Sequence, residues 1–120
     1  MYVQGAVLGV TADREEDYVK LAEYMGQIML DYGALEVLEN WEVDVPDGEH
    51  TDFRRAVKAN EKEKIVFSWV AWPSKEFHEE AHEKMMQDER MQTMPEDMPF
   101  EGKRMILGGF RTIYSTRTGS

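Results

Sequence analysis

Two stretches of this sequence bring together residue types able to do chemistry. In the alternating run Leu35, Val37, Glu39, Trp41, Val43, Val45, the only charged side chain is Glu39. A carboxylate among apolar neighbours loses solvation, so its pKa should rise unless a cation or hydrogen-bond donors compensate. A raised carboxylate is what a general acid or base near neutral pH requires. Glu39 is therefore the first catalytic candidate, with Arg104 as an accompanying anion holder. The competing explanation is structural: a place near the sheet edge, or an ion pair with Arg104 or Arg55. The second stretch, His78-Glu79-Glu80-Ala81-His82, satisfies the H-E-x-x-H pattern of zinc metalloproteases and puts both imidazoles on one helical face. Zinc would need a third protein ligand, and Glu101 is the only suitably distant downstream acid, in a segment better explained as the entry to a strand. The two histidines are expected to flank an apolar stripe, and no metal site is expected.

Aromatic and flexible residues offer a binding site instead. Trp41, Trp69 and Phe67 are the candidate ligand-lining side chains, although large residues on strands commonly serve a core or an interface. Five of the nine methionines fall between Met85 and Met98, where they suit irregular core filling or an adaptable cover over a cavity. Gly108-Gly109 suggests a bulge or bend in the last strand. No phosphate-binding glycine loop and no nucleophile elbow is present.

Composition removes further classes of chemistry. The 120 residues contain no cysteine, so thiol nucleophiles, iron–sulfur clusters and Cys-ligated zinc are excluded. With 14 Lys and Arg against 24 Asp and Glu, the net charge is -10. The basic residues form no stripe, so nucleic acid is not an expected partner. No apolar run approaches the ~20 residues of a membrane helix, and the N-terminus lacks the basic-then-apolar order of a secretory signal. The expected location is the cytoplasm, with no membrane partner and no cofactor.

The elements that must position these residues are legible from periodicity. Residues 2–10 are β-prone and end at a polar cluster, which predicts a strand. Asp13 and Glu16 have capping-box spacing, and Tyr18, Ala22, Met25, Met29 and Tyr32 mark the apolar face of a helix that Gly33 stops. The alternation from Ala34 to Val45 predicts a half-buried strand, broken by Pro46-Asp47-Gly48. Residues 53–59 are expected as a further short strand, and Ile65 to Trp72 as the clearest strand of all. Ser74 caps a second helix running to about Arg90, and a last strand follows from about Arg104 to Tyr114. The order β-α-β-(β)-β-α-β predicts an α+β sandwich of the ferredoxin-like kind in one domain, residues 1–115, with a frayed tail at 116–120.

The strand from Ile65 to Trp72 is apolar on both parities, yet two helices cover only one face of a four-stranded sheet. A second copy packed sheet to sheet supplies the missing cover, so the expected partner is the protein itself, as a homodimeric α+β barrel.

Four segments also carry a resemblance: Asp44-Val45-Pro46-Asp47-Gly48, Thr51 to Ala59, Val66-Phe67-Ser68-Trp69 and Met98 to Ile106. Together they are similar to the YbaA-like family of small bacterial proteins of unknown function, over nearly the whole chain. The resemblance implies the same dimeric barrel, in a superfamily of cofactor-free monooxygenases, dehydratases and isomerases alongside members without known activity. It extends to Glu39, where the family also has a Glu two residues before a Trp, and it implies no reaction. The expected function is accordingly a small protein with a small-molecule cavity. The alternatives are cofactor-free proton transfer on a small apolar metabolite through Glu39, and a purely structural dimer.

Overall fold

The computed structural model describes residues 1–117. Strand β1 (Tyr2–Thr11) runs into one 3-10 turn, Ala12–Arg14, and then helix α1 (Glu15–Asp31). The expected capping box does not form, because the 3-10 turn takes Asp13 and leaves Arg14 in front of the helix with no side-chain cap. Glu15, Glu16 and Asp17 instead place negative charge at the positive end of the helix dipole. The stop is as expected. Gly33 adopts φ 102°, its N–H bonds the Leu30 carbonyl, and that of Ala34 bonds Met29. A Cβ at Gly33 would stand 2.5 Å from the Phe77 ring, so both the backbone and the space require glycine.

Strand β2 (Glu36–Trp41) is shorter than the alternation to Val45 suggests. After Trp41, the Glu42 carboxylate accepts from the Ile65 N–H at 2.8 Å and from the Arg54 guanidinium. The chain then leaves the sheet: Val43 points into water, and Val45 packs with Val7, Val57 and Ile65. Residues 53–59 are not a strand. They hold the short helix α2 (Phe53–Ala56), because Asp52 caps it by accepting from the Arg55 N–H at 2.7 Å while also holding the Gly48 N–H. Strand β3 (Glu63–Trp72) follows, then Ser74, whose hydroxyl accepts from the Phe77 N–H to open α3 (Lys75–Met86). The helix ends before Arg90, since Asp88 starts a separate turn, α4 (Glu89–Gln92). Strand β4 is confined to Ile106–Arg111, after a 3-10 turn at Gly102–Arg104.

The four strands form one antiparallel sheet in the order β2-β3-β1-β4. Gly108 and Gly109 pair in regular register with Gly5 and Gln4, so no bulge forms there; they make room for the rings of Phe110 and Tyr2.

Register assigns each side chain to a face. Helices α1 and α3 lie on the face of Val37, Val66, Val70, Trp72 and Leu8. One cluster there joins Ile28, Ala34, Val70, Trp72, Ala81 and Met85. A second joins Leu8, Val10, Tyr18 and Val66, with Trp41 against it. Between them, the rung Glu39–Ser68–Ala6–Leu107 crosses the middle of the sheet with two small side chains at its centre. The other face is covered at one end by the chain around Val45, Val57 and Ala59. At the opposite end the chain beyond β4 runs to the β2 edge, where Arg117 pairs with Glu36. The centre of this face, with Phe67, Ile106 and Phe110, is exposed. Residues 118–120 of the tail expected at 116–120 lie outside the described residues.

Candidate functional site

Ala6 and Ser68 are too small to reach the helix above them, and the space they leave is a cavity of about 350 Å³. Its floor is the Glu39–Ser68–Ala6–Leu107 rung, its roof is Tyr18, Ala22, Met25 and Met29 of α1, and its far wall is Met94, Met98, Phe100 and Met105. The volume lies at the lower end of the range of ~300 to 1,000 Å³ for small-molecule pockets. The clustered methionines thus divide by role: Met85 is core, while Met94 and Met98 line the cavity. Their unbranched, polarizable side chains suit a wall that adapts to its contents.

Glu39 stands on the edge strand at the rim of this cavity and is accessible to water. Its Oε1 accepts from the Tyr18 hydroxyl at 2.6 Å and its Oε2 from the Ser68 hydroxyl at 2.9 Å. Neither Arg104 nor Arg55 is its partner. Among the described residues, the carboxylate is held by two neutral donors and by no cation. Tyr18 is buried, and burial together with the hydrogen bond to Glu39 holds its phenol well above the ordinary range, so it stays a protonated donor. Ser68 has a sequence signal: it is the one polar residue between Val66 and Trp72 on their parity of β3. Tyr18 has none, because its position on the apolar row of α1 is that of any core aromatic.

Arg104 belongs to a different site. Its guanidinium makes two short bonds to the Glu63 carboxylate, 2.8 and 2.7 Å, and a third to Glu101. Glu63 lies on the opposite face of the sheet from Glu39, so the expected acid–base and anion-holding pair is not assembled. The Glu63 carboxyl is held below its usual range chiefly by Arg104, against the opposing effect of burial, and the Asn60 N–H adds a bond at 2.9 Å. The side chain of Glu63 is 5% exposed, which makes this the most enclosed ion pair of a small network.

The aromatic trio is also divided between faces. Trp41 packs beside Tyr18 and Val66 under the helices. Phe67 and Trp69 lie on the open face, edge to face with each other at 5.8 Å, with the Trp69 indole donating to Glu36. Phe67 lines a shallow apolar hollow of about 280 Å³ there, with Gly5, Ile106 and Phe110. The two histidines of the H-E-x-x-H stretch follow one another along α3 with ring centroids 5.9 Å apart. His78 lies between the rings of Tyr2 and Trp72, and desolvation, with the neighbouring His82, pushes its imidazole down from 6.5. Among the described residues, no three His, Asp or Glu side chains are grouped to hold a metal ion, and no helix is long and apolar enough to cross a membrane.

Fold and site together define an α+β protein with helices on one face of a four-stranded antiparallel sheet, and a methionine-lined cavity between the two layers. Within that class, the chain belongs to the family described as "Protein of unknown function (DUF1428)", which matches residues 1–102. It is 51% identical over 112 residues to "Uncharacterized protein YbaA" of Escherichia coli strain K12, an alignment covering 93% of this chain and 96% of that protein. The protein of the same description from Shigella flexneri matches to the same extent.

Proposed function

We propose that this protein binds a small, largely apolar molecule in the cavity beside Glu39, and that it does so as a homodimer. The observation that carries the proposal is the gap above Ala6 and Ser68, walled by five methionines and flanked on both sides by closely packed core. The strand order, with its two helical crossovers, supports a ferredoxin-like sandwich. The exposed apolar centre of the second face supports burial against a second copy, giving the dimeric α+β barrel. On that arrangement, Phe67 and Trp69 serve the interface rather than the ligand. The acidic, cysteine-free composition favours the cytoplasm and disfavours nucleic acid as a partner.

The test uses N-phenyl-1-naphthylamine, a neutral apolar fluorophore. Its emission should rise on binding to the native protein, and Ala6→Phe, which fills the cavity floor, should abolish the rise while the fold, followed by circular dichroism, remains. Equal emission with both proteins would place the dye elsewhere and remove the basis of the proposal.

A second function is favoured by one observation: Glu39, held among the described residues by two neutral hydroxyls at the rim of an apolar cavity, is a carboxylate that can take a proton from a bound carbon acid. Cofactor-free proton transfer through Glu39 predicts deuterium exchange into a bound ligand. The exchange should be lost in Glu39→Gln while binding persists.

A further inference from the structure

Among the described residues lining the cavity, Glu39 carries the only formal charge. Both hydroxyl hydrogens at the Glu39 rim are committed, since Tyr18 and Ser68 each donate to the carboxylate. The Gln4 side-chain oxygen is taken by the Trp72 indole N–H at 3.0 Å, which leaves the neutral Gln4 amide N–H groups as the side-chain donors still open in the lining. A carboxylate offers about four lone-pair positions, and two are occupied here, so Glu39 retains capacity for two more donors. No Lys, Arg or His lines the cavity, and no cation pairs with Glu39 among the described residues. An incoming carboxylate or phosphate would meet an uncompensated like charge. An incoming donor would find a prepared acceptor.

Geometry adds a second constraint. Glu39 is water-accessible on the β2 edge, whereas the depth of the cavity is lined by methionine side chains with the rings of Tyr18 and Phe100. A cationic head at the rim keeps part of its hydration while its hydrocarbon body is buried, which avoids the large cost of enclosing a charge fully. The soft thioether and aromatic surfaces suit the carbon atoms next to an ammonium, and the net charge of -10 raises the local concentration of cations.

From these features we infer that the ligand is a small apolar amine, bound as its ammonium ion with its N–H donors on Glu39 and its hydrocarbon body among Met25, Met29, Met94 and Met98. The inference rests on the cavity being the ligand site and adds the charge class of what enters it.

Three near-isosteric probes separate the two propositions: phenethylamine, 2-phenylethanol and 3-phenylpropionate, titrated calorimetrically into the full chain at neutral pH. The amine should bind at least tenfold more tightly than the alcohol, and the carboxylate more weakly than either. Glu39→Gln, which keeps an acceptor for Tyr18, should bring the amine to the affinity of the alcohol and leave the alcohol nearly unchanged. Equal binding of amine and alcohol, both lost in Ala6→Phe, would overturn the inference while leaving the cavity as a ligand site. Loss of all three probes in a folded Glu39→Gln protein would also overturn it, because Glu39 would then shape the cavity rather than select charge. If neither the three probes nor the neutral fluorophore binds, the cavity itself is not a ligand site and both propositions fall.

Discussion

Removing Arg104 should cost this protein more than removing any other surface-reaching cation. Arg104→Met keeps the aliphatic stem and deletes the guanidinium that binds both oxygens of Glu63. Glu63, 5% exposed, would be left as an enclosed carboxylate with the Asn60 N–H as its remaining hydrogen bond among the described residues and Arg54 as a more distant charge. Breaking such a pair by removing one member costs about 3 to 5 kcal/mol. The lower value applies, because the Arg104 side chain is itself 23% exposed and water can reach part of the vacated space. With a urea m-value of about 1.5 kcal/mol per molar for a domain of this size, a loss of about 3 kcal/mol lowers the unfolding midpoint by about 2 M. The pH dependence gives the argument its sign. The folded pKa of Glu63 is depressed below 4.5, so the pair stabilises the protein above that value, and the benefit disappears as pH falls through the folded pKa. The deficit of Arg104→Met should therefore be full at neutral pH and shrink towards pH 3. Replacing both partners, as Glu63→Leu with Arg104→Met, should recover at least half of the loss, since no stranded charge remains. A midpoint drop below about 0.5 M, or a deficit as large at pH 3 as at pH 7, would refute the assignment of Arg104 to a structural ion pair.

The remaining predictions concern assembly, a histidine and two helix ends. Light scattering at micromolar concentration should give about twice 14.0 kDa, and Phe67→Glu on the open face should yield monomers; a native monomer would leave that face without a cover. His78 should titrate below 6.5 by NMR, so its contribution to stability, present above the unfolded value, is lost as pH falls through the folded pKa, and His78→Gln should flatten that dependence. Ser74→Ala should destabilise by about 1 kcal/mol through the lost cap on Phe77, with urea denaturation as the measure. Gly33→Ala should cost more than the ~1 kcal/mol of the left-handed backbone alone, because the new methyl group meets the Phe77 ring; a smaller loss would mean that Phe77 moves aside freely.

Where local chemistry decides, the sequence is a good guide. The apolar rows of α1 and α3, the two-sided apolarity of β3, the stop at Gly33 and the cap at Ser74 all depend on residues within a few positions of one another. The misses share a cause. Alternation from Phe53 to Ala59 resembles a strand, but Asp52 spends its carboxylate on the Arg55 and Gly48 N–H groups, and the chain turns into helix. Alternation to Val45 fails because Glu42 reaches Ile65 and Arg54, residues 23 and 12 positions away. In each case a side chain competed with the ladder for backbone donors.

By itself, then, the sequence determined the sheet-and-helix composition, the acidity and the absence of thiol chemistry, and it singled out Glu39 as a charge on an apolar parity. Tertiary structure alone decided what that charge meets. Tyr18 is 21 residues before it and Ser68 is 29 after it, and their hydroxyls reach it only through the register of β2 on β3 and the rotation of α1 above the sheet. The same register puts Glu63 on the opposite face, where Arg104 reaches it from the turn before β4, and opens the cavity over Ala6 and Ser68, two small residues whose alignment across neighbouring strands no local periodicity encodes. Periodicity assigns a side chain to a face of its own element; which faces meet, and at what offset, is set by packing of the whole chain.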